Sequence, residues 1–294
     1  MLRERLSDAV YLFQSETYAQ VNAGIVVGQT GVLVIDTLAL PEETLAIRRF
    51  VREMFPQLPV RYVVNTHYHA DHAWGNAVFP DAFVVAHRQT RERLRTHGQA
   101  LFAQAQQRYP EWRRWRLIFP HITLDSGMLR LKLGPRLHVR LFPLPGHTPD
   151  GIGVYVEEER ILFTGDAFTT IPALMADESD FDALVHSLQH IATIPIEVLI
   201  PGHGDIVFRG EVKDVIQANV DYLQCLRKTV RRAARRKYPG DVFATSSVED
   251  CGLDRVLLGG LAESLHQRNL EALLWNWYQR EALRSEDEFE DEYF

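Results

Sequence analysis

The segment Thr66–Asn76 constrains this chain more than any other part of its sequence. It reads T-H-Y-H-A-D-H-A-W-G-N and follows the apolar run Tyr62-Val63-Val64. Four side chains able to bind a metal ion stand close together in it: His67, His69, Asp71 and His72. Imidazole and carboxylate ligands suit zinc, and also manganese or iron. A strand that opens into a loop can direct the first pair toward one ion and the second pair toward another, so the spacing predicts a metal site rather than a solvated turn.

Three later segments repeat the same design, in which an apolar, strand-like run ends in a turn of small residues with a ligand-type side chain. His147 stands in L-P-G-H-T, Asp166 in T-G-D-A and His203 in P-G-H-G-D. Ligands gather at the carboxyl ends of strands, where loops bring side chains together on a rigid support. A glycine beside each of these residues permits the tight backbone that such a loop requires.

The motifs H-x-H-x-D-H, G-H-T, T-G-D and G-H, in this order, resemble those of the metallo-β-lactamase superfamily. The resemblance covers about Val10 to Phe208 and includes Asp36 in L-V-I-D-T, which matches the family's first motif. It implies an α+β fold, a four-layer αββα sandwich with a helical C-terminal extension. It also implies a ligand set: His67, His69 and His147 for a first metal, Asp71, His72 and His203 for a second, and Asp166 between the two.

The aspartate in T-G-D separates this chain from the antibiotic-hydrolysing branches of that family, which argues against β-lactam hydrolysis. The stretches T-H-x-H-x-D-H-x-x-G-N and F-T-G-D resemble those of glyoxalase-II-like hydrolases. The resemblance therefore implies a dinuclear zinc hydrolase, with iron or manganese as alternative metals, that cleaves a small ester, thioester or lactone. No glutathione-binding signature can be matched in the C-terminal helices, which leaves the thioester specificity open.

The catalytic step expected of such a site is attack by a hydroxide that the metal pair supplies at neutral pH. Asp71 is the predicted catalytic residue, placed to orient this hydroxide and to take its proton. Ligand imidazoles need acceptors for their second N–H group. Asp36, Thr66 and Asp205 are the candidates for that role because they lie near the ligands in sequence.

Alternatives from other functional classes use the same residues. A phosphodiesterase or nuclease would use the same metal pair. A persulfide dioxygenase of this family would bind a single iron through the residues that match His67, His147 and Asp166. A non-catalytic binding module would be expected to lose ligands, whereas this chain retains all seven.

Composition sets the broad class of protein. With 294 residues, of which 46% are hydrophobic, the chain can bury a sizeable core. A net charge of −7 argues against a nucleic-acid binder that relies on a basic surface. The sequence shows neither a secretory signal nor an apolar stretch long enough to span a membrane, which predicts a cytoplasmic protein. The expected partner is a small-molecule substrate, and homo-oligomer formation stays open.

The order of apolar runs predicts two β-rich halves and a helical end. The first half contains predicted strands and a helix at Pro41–Phe55, and the second runs from Met128 to Ile200 with an amphipathic helix at Phe181–Thr193. We predict a catalytic domain over 1–208, with a helical insertion at about 88–116, and a helical C-terminal region over 209–294. The strands predicted for the first half are Ala23–Val27, Gly31–Asp36, Arg61–Thr66 and Ala82–Ala86.

Several features have two interpretations. Tyr109, Trp112 and Trp115 have helical spacing and either form an apolar substrate wall or pack the insertion onto the core. The basic run Arg227–Lys237 is either an anion contact or a solvated helix face. His266 follows no strand and stays outside the predicted site. Cys225 and Cys251 belong to no ligand cluster and are expected to be buried or idle thiols.

Overall fold

Two β-sheets pack against each other in this computed structural model, which describes residues 1–176, 178–253 and 260–291. The first sheet has the order β1-β2-β3-β4-β5-β6-β7, antiparallel up to β4 and parallel from β4 to β7. Its strands are Leu2–Arg5, Val10–Gln14, Asn22–Gly28, Gly31–Ile35, Val60–Val64, Phe83–His87 and Ile122–Leu124. The strands predicted for this half of the chain agree with β3 to β6 within a few residues.

The second sheet has the order β13-β12-β11-β10-β9-β8, in which only the pair β11 and β12 is parallel. β9, β11 and β12 therefore all run in one direction, and the loops that follow them leave the sheet at the same edge. The strands are Leu129–Lys132, His138–Pro143, Ile152–Val156, Ile161–Phe163, Val198–Ile200 and Val207–Phe208.

Helices cover the outer face of each sheet. The described helices α1 to α8 are Pro41–Met54, Ala70–Ala73, Arg88–Arg93, Gln99–Arg108, Phe181–Ile191, Val212–Ala234, Gly240–Phe243 and Leu261–Asp291. α1 begins at a proline and has two glutamates in its first turn, which favour the positive end of the helix dipole. Among the described residues, none of these helices has the length and apolar character needed to cross a bilayer.

Alternating side chains divide the core into layers. Val26 and Val64 of the first sheet share one buried cluster with Leu141 and Val154 of the second. On the outer face of the first sheet, strand residues pack with α1, and on that of the second sheet they pack with α5, α6 and α8. Because each strand side chain that leaves water contributes about 1.5–3 kcal/mol, these layers fix which face of each strand is inside. The predicted α+β sandwich with C-terminal helices is confirmed.

The helical insertion is less regular than its sequence pattern predicts. α3 continues through a wider turn at Leu94–Gly98 into α4, and α4 ends at Arg108 because Tyr109 is extended and Pro110 follows it. Tyr109, Trp112 and Trp115 therefore do not share a helical face. Trp112 is buried against Trp74, with ring centroids 5.6 Å apart, so it packs the insertion onto the core as the second interpretation predicts.

The C-terminal helices bring together two residues that the sequence gives no reason to pair. Cys225 of α6 and Cys251, in a short turn after α7, form a disulfide with their Cα atoms 5.4 Å apart. The expectation of buried or idle thiols was wrong. The two cysteines are 26 residues apart in sequence, and the packing of α6 against that turn brings them together. Part of the predicted helix Leu253–Arg284 covers positions 254–259, which lie outside the described residues.

Candidate metal centre

The predicted ligands lie at one edge of the sandwich because the strands that precede them share a direction. The loop after β5 contains His67, His69, Asp71 and His72, and the loops after β9, β11 and β12 contain the other ligand candidates. The two sheets present these loops to each other. All seven side chains fall into two adjacent groups, whose members are His67, His69, His147 and Asp166 in one group and Asp71, His72 and His203 in the other.

The first group, called here the first cluster, has four ligand atoms around one point. Nδ1 of His69 lies 3.1 Å from Nε2 of His67 and 3.0 Å from Nε2 of His147. Oδ2 of Asp166 lies 3.6 Å from Nε2 of His67 and 3.3 Å from Nε2 of His147. In a tetrahedral zinc site with bonds of about 2.1 Å, neighbouring ligand atoms lie about 3.4 Å apart. The donor atoms of this cluster thus have the spacing that such an ion requires.

The second cluster consists of Asp71, His72 and His203, together with the other oxygen of Asp166. Oδ2 of Asp71 lies 3.7 Å from Nε2 of His72 and 3.3 Å from Nε2 of His203. Oδ1 of Asp166 lies 3.3 Å from Nε2 of His72 and 3.5 Å from Nε2 of His203. Asp166 therefore directs one carboxylate oxygen toward each cluster.

Two atoms of the second cluster need a further partner. Nε2 of His72 and Oδ1 of Asp166 are buried and have no hydrogen-bond partner. An unsatisfied buried polar group costs about 1–3 kcal/mol or more, so a folded protein has such a pair only where something else satisfies it. A divalent cation that accepts both lone pairs fits this requirement, and the residues present are those that bind one.

The electrostatics of the second cluster demand positive charge. Burial lowers the pKa of both His72 and His203, but the facing carboxylates of Asp166 and Asp71 outweigh it. The net result raises the pKa of His203 to about 10 and that of His72 well above its usual value. Each imidazole would hold a proton there unless another cation took that place.

Two imidazoles of the first cluster, those of His67 and His147, are neutral for a different reason. Burial lowers the pKa of His67 and of His147, in the latter to about 4, and the charge of Asp166 only partly opposes this effect. Neutral imidazole is the form that coordinates a metal ion. The two clusters are thus chemically distinct halves of one site, joined by Asp166.

Asp36 and Thr66 contact one candidate ligand of each cluster, His72 and His67, from outside. Oδ2 of Asp36 lies 2.8 Å from Nδ1 of His72 and accepts a 2.7 Å hydrogen bond from the Thr66 hydroxyl. Because that hydroxyl donates to Asp36, it accepts from Nδ1 of His67 at 3.1 Å. Each imidazole then turns Nε2 toward its cluster. The structure places both residues where the sequence analysis suggested them.

The prediction that Asp205 accepts a hydrogen bond from a ligand imidazole was wrong. Its side chain is exposed, and its backbone carbonyl accepts a hydrogen bond from Thr170 instead. Nδ1 of His203 lies 2.8 Å from the carbonyl oxygen of Ala19, in a loop far away in the sequence. Nδ1 of His147 similarly lies 2.6 Å from the carbonyl oxygen of Leu174. Backbone carbonyls leave no side-chain signal, so sequence reasoning could not have identified either acceptor.

Glu178 is a further neighbour that the sequence did not reveal. Its Oε1 lies 3.5 Å from Nε2 of His69 and accepts a 2.6 Å hydrogen bond from the Tyr68 hydroxyl, while its Oε2 pairs with Arg93. Although burial raises the pKa of Glu178, these contacts hold it at about 2. The ionised carboxylate faces the outer nitrogen of His69, as an acceptor for a ligand imidazole would.

Glycines allow the loops to approach one another. A Cβ at position 202 would lie 1.9 Å from Oδ1 of Asp166, so only glycine permits Asp166 to reach its place. Gly165 has a φ of 50° and packs against Thr66, where a Cβ would lie 2.5 Å from the hydroxyl oxygen. These contacts explain the glycines that precede Asp166 and His203 in the sequence motifs.

A cavity of about 850 Å³ opens above both clusters. Its floor contains the candidate ligands Asp71, His147 and His203, and its walls come from the helical insertion, the Thr17–Ala19 loop and α8. Tyr109, Leu101, Leu261 and Leu265 supply apolar wall surface. Among the described residues that line it, the charged side chains other than ligands are Arg108 and Arg268.

The basic run lies elsewhere. Arg227 pairs with Asp182 and stacks on Phe181, and Arg232 and Arg236 line a separate surface depression. None of the residues of the run lines the cavity above the clusters. The solvated-face interpretation therefore agrees with its position.

This chain matches one protein family in sequence and a solved member of that family in fold. Residues 17–203, more than half of the chain, match the family model described as "Metallo-beta-lactamase superfamily". A metallo-beta-lactamase from Pontibacter korlensis superimposes with a TM-score of 0.59 at 20% sequence identity, and the match covers 76% of this chain and 98% of that chain. At this identity, the likeness shows the fold alone.

Three curated relatives match this chain over only part of their own length. A 2,4-dinitroanisole O-demethylase subunit alpha from Nocardioides sp. is 26% identical over 60% of this chain and 50% of its own length. A hydroxyacylglutathione hydrolase from Pelagibacter ubique is 21% identical over 53% and 55%, and a thioesterase from Emericella nidulans is 24% identical over 61% and 44%. The matched part spans about half the length of each relative.

The family match runs from Thr17 to His203 and so covers the four loops, after β5, β9, β11 and β12, that contain the candidate ligands. The fold, the order of the motifs and the His/Asp clusters agree with it. Such clusters suggest a divalent metal, and members of the family are mostly hydrolases. This chain belongs to the metallo-beta-lactamase superfamily.

Proposed function

We propose that this protein is a dinuclear zinc hydrolase that cleaves a small ester, thioester or lactone. The observation on which the proposal rests is the position of Asp166, whose two oxygens face two separate sets of ligand atoms at 3.3–3.6 Å. A mononuclear iron site would need only the first cluster. The second cluster is complete in this chain, which supports a hydrolase over a dioxygenase.

When bound, a divalent metal pair lowers the pKa of water toward about 7 and so supplies hydroxide at neutral pH. Asp71 lines the cavity and belongs to the second cluster, and its carboxylate is available to orient this nucleophile and to accept its proton. The predicted catalytic role of Asp71 remains part of this proposal. Asp36 and Thr66 keep His72 and His67 in the orientation that the site requires.

Tyr18 is well placed to contact the reacting group. It lines the cavity, and the negative charge of Asp71, together with burial, raises the pKa of its hydroxyl. Tyr18 is therefore a protonated hydrogen-bond donor at neutral pH. We expect its hydroxyl to stabilise the oxygen on which negative charge develops during attack on a carbonyl group.

The cavity also indicates what kind of molecule fits. Apolar walls favour a substrate with an apolar body, and Arg108 and Arg268 favour one with a negatively charged group away from the scissile bond. The names of the hydroxyacylglutathione hydrolase and thioesterase relatives support a thioester among the candidates. The two arginines that line the cavity are also compatible with a small phosphodiester as substrate, the alternative that uses the same metal pair.

The decisive experiment measures metal content and substrate turnover on the same preparation. Protein purified without chelators or an affinity metal is analysed by inductively coupled plasma mass spectrometry. It is then assayed with a thioester, a lactone, an aryl ester, a phosphodiester and 2,4-dinitroanisole, the last because of the O-demethylase relative. Two zinc ions per chain with carbonyl-substrate turnover support the proposal. One iron per chain, or turnover of the phosphodiester alone, would contradict it.

A further inference from the structure

The C-terminal helix α8 reaches the metal centre through one buried asparagine. Asn269 is 1% exposed, and its amide contacts both neighbours of Leu174. Its Nδ2 donates to the carbonyl oxygen of Ala173 at 2.5 Å, and its Oδ1 accepts from the backbone N–H of Met175 at 2.9 Å. One side chain thus holds the backbone on either side of Leu174.

Leu174 lies in a segment without regular secondary structure, yet its carbonyl has a defined task. That oxygen lies 2.6 Å from Nδ1 of His147 and accepts a hydrogen bond from its N–H, which leaves the lone pair of Nε2 to face the first cluster. A loop outside helices and strands has no backbone ladder to fix its carbonyl groups. The direction of the Leu174 carbonyl therefore depends on side-chain contacts, and Asn269 supplies them on both sides.

Asn269 is itself held by a buried polar network. Its Nδ2 also donates to the hydroxyl of Tyr222 at 3.2 Å. Since the Tyr222 oxygen accepts from this amide, its single proton is directed to Nδ1 of His266 at 3.1 Å, and Nε2 of His266 then donates to Ser246 at 3.0 Å. Tyr222 and His266 are both fully buried. This assigns His266 a structural place behind the site, outside the set of ligands.

We propose that Asn269 is a positioning residue for the metal centre, which orients His147 by fixing the carbonyl group of Leu174. The helical C-terminal region then forms part of the support of the first cluster as well as a wall of the substrate cavity. This inference rests on the proposed metal binding. It goes further by making one metal ligand depend on a helix that contributes no ligand to either cluster.

The test compares Asn269→Ala and Asn269→Asp with wild type and with Asn219→Ala as a matched control. Asn219 is a buried asparagine of α6 that donates to Val215 in its own helix, and the hydrogen bonds of the described residues link it to no part of the Leu174 segment. Each metal-free protein is titrated with cobalt(II), with affinity from chelator competition and ligand geometry from the visible absorption spectrum. Urea unfolding of the metal-free proteins reports the purely structural cost.

We expect both Asn269 variants to bind one of two cobalt ions about 10-fold to 100-fold more weakly, with an altered spectrum, because outer partners of ligands have effects of this size. Asn219→Ala should lose stability and keep the wild-type affinity and spectrum. Should Asn269→Ala fail to fold, the isosteric Asp variant retains the acceptor for Met175 and tests the lost donor. In addition, Tyr222→Phe leaves both contacts to the Leu174 segment in place and should change the affinity less.

Two results separate the inference from the function on which it rests. If wild-type protein takes up no metal, the proposed function is wrong. If wild-type protein binds two ions and both Asn269 variants bind them with the same affinity and spectrum, only the role of Asn269 is wrong.

Discussion

Oδ2 of Asp36 lies 2.8 Å from Nδ1 of His72, so the loop after β4 orients a candidate ligand in the loop after β5. Asp36 has a φ of 57°, a conformation that asparagine adopts more readily than most residues. Asp36→Asn should therefore keep the fold and lose the negative charge behind His72. We expect metal affinity to fall about 10-fold to 100-fold. Chelator competition measures this, with Asp205→Asn, an exposed site, as the control that should not change.

The ligand variants should differ in how much metal they lose. Asp166 contributes to both clusters, so Asp166→Ala should bind fewer than one ion per chain, whereas His69→Ala should retain the second cluster and up to one ion. Turnover should be abolished in both. Mass spectrometry of metal content and circular dichroism of the fold test this, with the exposed histidine variant His97→Ala as the control. Wild-type activity in either ligand variant would contradict the assignment.

Tyr18 provides a test of charge stabilisation during the reaction. Tyr18→Phe removes a hydroxyl and keeps the aromatic ring, so metal content should not change. We expect kcat to fall about 10-fold to 100-fold with little change in KM, because the contact strengthens as negative charge develops. Steady-state kinetics on the substrate identified by the panel measure this. An unchanged kcat would show that the hydroxyl does not contact the reacting oxygen.

The arginines at the cavity can be tested with a pair of substrates that differ only in a carboxylate and its methyl ester. Arg268→Gln should raise KM for the charged substrate about 10-fold, the effect of one charge-assisted hydrogen bond, and leave the neutral substrate unaffected. Arg108→Gln should act in the same direction. Arg232→Gln, in the basic run outside the cavity, is the control. An equal loss for both substrates would indicate a structural role instead.

Asp150 should make stability depend on pH. It is fully buried, burial raises its pKa above the ordinary 3.8, and its Oδ2 accepts from Thr90 at 2.7 Å. An acid whose pKa is raised in the folded state does not change the free energy of unfolding below pH 3.8, where it is protonated in both states. As pH rises above that value, its ionisation lowers the free energy of unfolding. Asp150→Asn keeps an acceptor for Thr90 and removes this cost.

Urea unfolding of metal-free wild type and Asp150→Asn at about pH 4.5 and about pH 8 measures the difference. We expect the variant to be the more stable protein at the higher pH, with a smaller gap at the lower pH. A gap that does not change with pH would mean that Asp150 keeps its ordinary pKa.

Much of the first sheet could be predicted because its signals are local. The strands β3 to β6 and helix α1 follow runs of apolar residues and a proline-led, acidic first turn, which act over a few neighbours. The insertion was harder, since Pro110 ended the helix before the aromatic spacing could align Tyr109 with Trp112. The pair Cys225 and Cys251 was missed because only packed helices bring the two together.

The candidate ligands could be predicted from the sequence, because side-chain chemistry and the turn after a strand are both local. Thr66 and Asp36, which orient His67 and His72, could be suggested from the sequence, whereas the other orienting residues are found only in the tertiary structure. Ala19, Leu174 and Glu178 contact His203, His147 and His69 across long stretches of chain, and the first two do so through backbone carbonyls that any residue possesses. A sequence motif can specify which atoms bind a metal ion. For His203, His147 and His69, the meeting of distant loops decides which way those atoms point.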